Sequence, residues 1–265
     1  RDEVRTKSMA LVGISIALMF ALSLVLAPML VPLIGLAGLF ALTAVLAAIG
    51  MAVVAWVVPP EPPVQHAQNR GGLREVLADV ELLRVDLGVF VLHAVQIAMW
   101  MSVPALLSQA GVASAAQWKV YLPAVLGSLL ILGGLLFRLE RKGYFKQVYL
   151  GTIALIALVQ LGFLLSLNAP SVWAVSLLLC LYFVGFNTQE ASQPSLASRL
   201  ARPHQRGAAL GVYNTLQSVG FFVGGAVGGW LARTQGPTGL FAACAVATLV
   251  WFVVAWPMKA PAPRG

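Results

Sequence analysis

Charge is scarce in this chain. Only 10% of its 265 residues are charged, against about a quarter in an ordinary soluble domain. Acids are rarer than bases, with nine Asp and Glu against 17 Lys and Arg. Cysteine is almost absent. Cys180 and Cys244 each sit inside an apolar run, which excludes a disulfide framework and a cysteine metal site and leaves them as small buried residues. There are three histidines, and no His/Cys cluster has metal-ligand spacing. No glycine-rich nucleotide loop appears, and no nucleophile stands beside a base and an orienting acid, so an enzyme is not expected and no cofactor is implied. The front of the chain, Arg1–Lys7, is polar and lacks a signal-peptide pattern. It does not open on Met, and its start is expected to lie inside a longer protein.

What is there is hydrophobic surface. Apolar residues make up 60% of the chain and the mean hydropathy is +0.88. A soluble core of this length does not absorb that much apolar side chain, whereas a bilayer does, because a spanning helix needs about 20 mainly apolar residues. Eight apolar stretches run roughly over 8–31, 36–58, 86–108, 118–138, 145–167, 170–194, 207–231 and 238–257. Helix is expected throughout, because no alternating barrel pattern appears and an unpaired backbone cannot cross lipid. Pro104, Pro123 and Pro194 interrupt the third, fourth and sixth stretches and predict kinks there.

The net charge of +8 is a topology signal. Of the 17 Lys and Arg, 15 fall on one set of ends and alternate loops; only Lys119 and Arg233 fall on the other. The positive-inside rule places the rich set, with both termini, in the cytoplasm. No basic segment is long or folded enough to track phosphates, so nucleic acid is not an expected partner.

An internal repeat follows. GLFALTAVL from Gly38 corresponds to GLFAACAVA from Gly239, and VVAW recurs at Val53–Trp56 and Val253–Trp256. Lys7–Leu11 likewise sits against Arg206–Leu210. Helices one and two thus resemble helices seven and eight, a period of six helices. Two six-helix halves make a twelve-helix protein. The expected fold is therefore an all-α membrane protein whose eight transmembrane helices correspond to helices five to twelve of such a plan. Residues 1–58 would close the first half, 59–85 form a cytoplasmic linker, 86–259 a complete second half, and 260–265 a tail. The linker's first part, PPEPPVQHAQNRGG over 59–72, cannot span. Leu73–Leu87 carries apolar residues on a helical period with a charged opposite face, and predicts an amphipathic helix on the membrane surface or an extension of helix three.

Several strings resemble the major facilitator superfamily, and within it the drug:proton antiporter-like group and its YajR-type transporters. They are RTKSMALVGIS at Arg5–Ser15, QWKVYL at Gln117–Leu122, FNTQEASQPSLAS at Phe186–Ser198, and RGAALGVYNTLQSVGFFVGGAVGGWL at Arg206–Leu231. The glycine-rich antiporter signature of the family's fifth helix is represented here by SLVLAPMLVP, which keeps Pro28 but has Ser23 and Ala27 at glycine positions. The resemblance implies a secondary transporter, proton-coupled or facilitative, that moves a small solute by alternating access. It would be a bacterial inner-membrane protein, working as a monomer. A non-transporting sensor or scaffold on the same fold, or an inactive fragment of the carrier, stays open beside it.

Eight of the nine acids fall at expected cytoplasmic ends, Asp86 among them, and only Glu190 sits inside an apolar stretch. A carboxylate there must be paired, protonated or functional. Three roles are open for it: a gate ion pair with the basic Arg138–Lys146 loop, Arg141 in particular; a proton carrier; or a structural cap. His93 is read as a hydrogen-bonded structural residue or a proton relay. Gln96, Trp100, Asn187, Tyr213, Asn214 and Gln217 are candidate lining of a substrate cavity, since polar groups in a span must face protein or water. Gly220, Gly224 and Gly228 form a small-residue stripe suited to close helix packing.

Overall fold

The computed structural model describes residues 2–59, 72–136, 138–139 and 142–258; no strand occurs among them. The helices are α1 (Asp2–Trp56), α2 (Leu73–Ala78), α3 (Val80–Met99), α4 (Val103–Gln109), α5 (Trp118–Ile131), α6 (Phe145–Ser166), α7 (Val172–Leu200), α8 (Arg206–Thr234) and α9 (Gly236–Ala255). A π-helical turn, Leu132–Leu136, extends α5. The linker over 60–71 and the loop residue Arg141 lie outside the described residues.

Six helical segments among the described residues are long and apolar enough to cross a membrane: Val25–Trp56, Val80–Gln109, Ser114–Gly134, Phe145–Ser166, Val172–Leu200 and Gly236–Ala255. The two expected stretches over 8–31 and 36–58 merge into α1, with Gly35 between them at φ 68 and ψ 177. Only glycine adopts that conformation without strain, so the expected boundary falls where the backbone leaves the helix. The stretch expected over 207–231 is α8, 29 residues long. Asn214, Gln217 and its glycines lower its hydropathy and keep it out of the apolar set. Pro104 lies in the first turn of α4, where a missing N–H costs nothing, whereas Pro123 and Pro194 lie inside α5 and α7.

The amphipathic helix expected over 73–87 is divided. Asp79 ends α2 and caps α3, its Oδ1 accepting from the backbone N–H of Glu81 at 2.9 Å and of Leu82 at 3.3 Å. That carboxylate satisfies donors a helix start would otherwise leave unpaired. Residues from Val80 onward therefore belong to the third helix. Val76 of α2 is buried with Leu82, Ala201 and Ala209, and Glu75 accepts a hydrogen bond from Gln205, so α2 rests on the turn between α7 and α8.

The core is built by α3 to α9, with α3 packed most extensively on α8. A Cβ at Gly220 would stand 2.6 Å from the Phe90 carbonyl oxygen, and one at Gly228 2.7 Å from Ala98 Cα; one at Gly224 would collide with the Ala94 backbone. Rising four residues on both helices, these contacts set α3 and α8 parallel and in register. Backbone cannot move aside as a flexible side chain can. Gly224→Ala should therefore destabilise the chain by about 1–3 kcal/mol, the range for overpacking, while Gly229→Ala, which meets nothing within 4 Å, should be neutral. Unfolding in denaturing detergent measures both.

By contrast α1 is peripheral. None of the most apolar window of Val25–Trp56 is buried, whereas half or more is buried in Val80–Gln109, Phe145–Ser166 and Val172–Leu200.

Candidate functional site

Three helices of the core each bring one polar side chain to a common point. His93 of α3 is 1% exposed. Its Nδ1 stands 2.8 Å from the Val89 carbonyl oxygen, one turn back on the same helix. Its Nε2 stands 3.0 Å from Glu190 Oε2 on α7 and 2.8 Å from Gln217 Nε2 on α8. Gln217 also donates toward Glu190 Oε1 at 3.5 Å. Phe221 and Phe186 close around the imidazole edge-on, their ring centroids 4.8 and 5.7 Å from it.

These distances constrain the protons. A carbonyl oxygen only accepts, so Nδ1 carries a hydrogen and donates it to Val89. In a neutral ring with that tautomer Nε2 has a bare lone pair. A bare lone pair facing an ionised carboxylate oxygen at 3.0 Å is repulsive, and Glu190 Oε2 has no hydrogen-bond partner among the described residues if no proton is placed there. One proton between Nε2 and Oε2 removes the conflict, as imidazolium with carboxylate or as imidazole with carboxylic acid. Nε2 offers one lone pair or one N–H, so Gln217 follows the proton count: without the shared proton its NH2 donates to the bare Nε2, and with it Nε2 is taken by Glu190 and the NH2 keeps its donation toward Oε1. The Glu190 side chain is 29% exposed, but its Oε2 and the His93 ring are buried, so the shared position itself is enclosed.

The sequence singled out all three residues, and the structure brings His93, Glu190 and Gln217 together. The rest of the expected lining separates. Asn187 shares a face with Glu190 but turns to α5, its Nδ2 donating to Ser128 Oγ at 2.8 Å. The Trp100 ring stands edge-on to Tyr121 with centroids 4.9 Å apart, and Gln96 is half-buried one turn beyond His93. Tyr213 belongs to the packed core and Asn214 is exposed.

Two groups escaped the sequence reading. Gln189 and Gln193, a turn apart beside Glu190, are fully buried; Gln189 Nε2 donates to the Tyr149 carbonyl at 2.7 Å and to Thr152 Oγ1 at 2.8 Å. The polar run NTQEASQ inside a span was the available signal. The second is Asp86, grouped in the sequence with the acids of the cytoplasmic ends, which is 2% exposed with Oδ2 unpartnered among the described residues. Its burial follows from α3 starting at Val80, which carries Asp86 nearly two turns into the helix.

The sequence profile of the Major Facilitator Superfamily matches residues 1–225 and again residues 192–265. The chain belongs to the major facilitator superfamily. Among proteins it is similar to is the inner membrane transport protein YajR of Escherichia coli (strain K12), 35% identical over 98% of this chain and 58% of the relative. An uncharacterized transporter of Buchnera aphidicola subsp. Acyrthosiphon pisum is 29% identical over 84% of this chain and 58% of its own length. Another, from Buchnera aphidicola subsp. Schizaphis graminum, is 25% identical over 96% of this chain and 66% of the relative. The chain thus spans less than two-thirds of the length of the relatives it matches. Within the superfamily it stands close to YajR.

Proposed function

We propose that this chain forms helices five to twelve of a proton-coupled secondary transporter of the inner membrane, which moves a small solute by alternating access. The observation that carries the reading is the His93–Glu190–Gln217 contact: an ionisable pair inside the bilayer span whose geometry calls for one proton, with a side chain beside it that fits both protonation states. The printed name of the YajR relative as an inner membrane transport protein supports the location and the transport class. Two overlapping profile matches support a repeated, two-half plan.

The chemistry gives a coupling device. With the proton bound, the pair is neutral overall and ties α7 to α3. Without it, imidazole and carboxylate repel, and the tie is released to water. Proton occupancy thereby biases two arrangements of the half, which is what coupling to a gradient requires. The gate reading of Glu190 has less support, because its carboxylate turns to His93, and Arg141 lies outside the described residues. Arg141 keeps only its sequence-based candidacy.

In liposomes holding the full-length protein, an imposed proton gradient should drive solute flux that collapses when a protonophore is added. Flux that ignores the protonophore would mean a facilitative carrier. No flux with any solute that binds would favour a sensor or scaffold.

A further inference from the structure

We infer that Asp86 is a second proton-carrying carboxyl, which passes protons between the His93–Glu190 pair and the α2 side of the membrane along the seam between α3 and α8. The inference rests on the proton-site reading above. Asp86 and His93 are seven residues apart, two turns of one helix, so they share a face of α3 at an axial separation of about 10 Å. Tyr213 and Gln217 are four apart and share a face of α8. The glycine contacts hold these two helices parallel and in register, backbone against backbone. Their polar faces therefore run side by side.

Asp86 Oδ2, Tyr213 Oη and Trp251 Nε1 are among the buried polar atoms without a hydrogen-bond partner among the described residues. Buried polar atoms left in that state are where bridging waters settle. Tyr213 is 2% exposed and stands two turns before Gly220, on the α8 face that meets α3. Its hydroxyl is able to accept one proton and release its own. Other groups stand around the seam. Arg84 and Glu81 on α3 pair with each other. Arg206 stands at the start of α8 with its Nε buried, and α9 presents Trp251 at Gly88. The transfer balances: Glu190 Oε2 gives its proton to Tyr213, directly or through a bridging water that hands one on, Tyr213 releases its own hydrogen to the ionised Asp86, and Asp86 yields that proton to bulk water on the α2 side.

The test is a pH jump on the full chain in lipid nanodiscs, followed by time-resolved infrared spectroscopy. The protonated-carboxyl band to follow is the one lost in Glu190→Gln. Asp86→Asn should leave the final amplitude of this band unchanged but slow its rise and decay by at least about tenfold, as when a positioned acid–base group is removed. Asp86→Glu should keep the rate near that of the unaltered chain. If Asp86→Asn does not fold, Tyr213→Phe replaces it and should show the same slowing. Unchanged rates in these variants would overturn the role of Asp86 and leave the proton site standing. Absence of any Glu190-dependent titrating band in the unaltered chain would overturn both.

Discussion

Glu190→Gln should reduce pH-driven transport by the full-length protein to the level of protein-free liposomes, while solute still binds. Glutamine keeps the size and hydrogen bonds of a protonated glutamate, so α7 should remain tied to α3 through His93 Nε2. What it removes is the ability to lose the proton. A half locked in its proton-bound arrangement binds solute on one side and does not cycle, so binding and driven flux should part company. His93→Ala should fail differently. It leaves the Glu190 carboxyl in a cavity without its partner, so binding itself should weaken and the pH dependence should shift rather than vanish. The pair of outcomes separates a proton site from a plain packing contact, for which both variants would transport normally once folded. Equilibrium solute binding and gradient-driven uptake, measured on the same preparations, check it.

Residues 1–265 expressed by themselves should insert into a membrane yet show no saturable uptake. The reason lies in the burial of the spans. Within α3 to α9 the helices bury one another, the glycine stripe of α8 is filled by the α3 backbone, and the amides of α7 find partners on α5 and α6. That unit should resist proteolysis over 86–257. The window within Val25–Trp56, equally apolar, buries nothing. In the proposed two-half plan this helix would pack against neighbours from the first half, and the proposed solute cavity needs walls from both halves. Uptake assays in liposomes under a proton gradient, with limited proteolysis alongside, measure both parts. Robust saturable uptake by this chain as a monomer would refute the two-half plan.

Much of the architecture was legible because the bilayer imposes a crude rule that hydropathy reads directly. Phe145–Ser166 and Gly236–Ala255 fall within two residues of their expected bounds. Glu190 stood out for the same reason, as a carboxylate inside an apolar run. The partner was less legible. Nothing in the local sequence says that His93 and Gln217 meet Glu190, since that depends on how three helices are rotated about their axes. The register comes from backbone contacts at Gly220, Gly224 and Gly228, which a sequence shows only as a stripe. The burial of Asp86 was not legible, because it follows a run of charged residues over 74–84 and was grouped with the acids of the helix ends. The structure splits that run at Asp79, caps α3 there, and carries Asp86 inward.

The central claim is that one proton is shared between His93 and Glu190, and nitrogen NMR of the imidazole tests it most directly. The chain has three histidines, so selective 15N labelling gives few signals, and His93→Asn assigns the one in question. The account predicts a ring whose Nδ1 stays protonated throughout, held by the Val89 carbonyl. Its Nε2 signal should move with pH, and that movement should change in Glu190→Gln. An imidazole that carries its hydrogen on Nε2 alone, or that ignores both pH and Glu190→Gln, would contradict it.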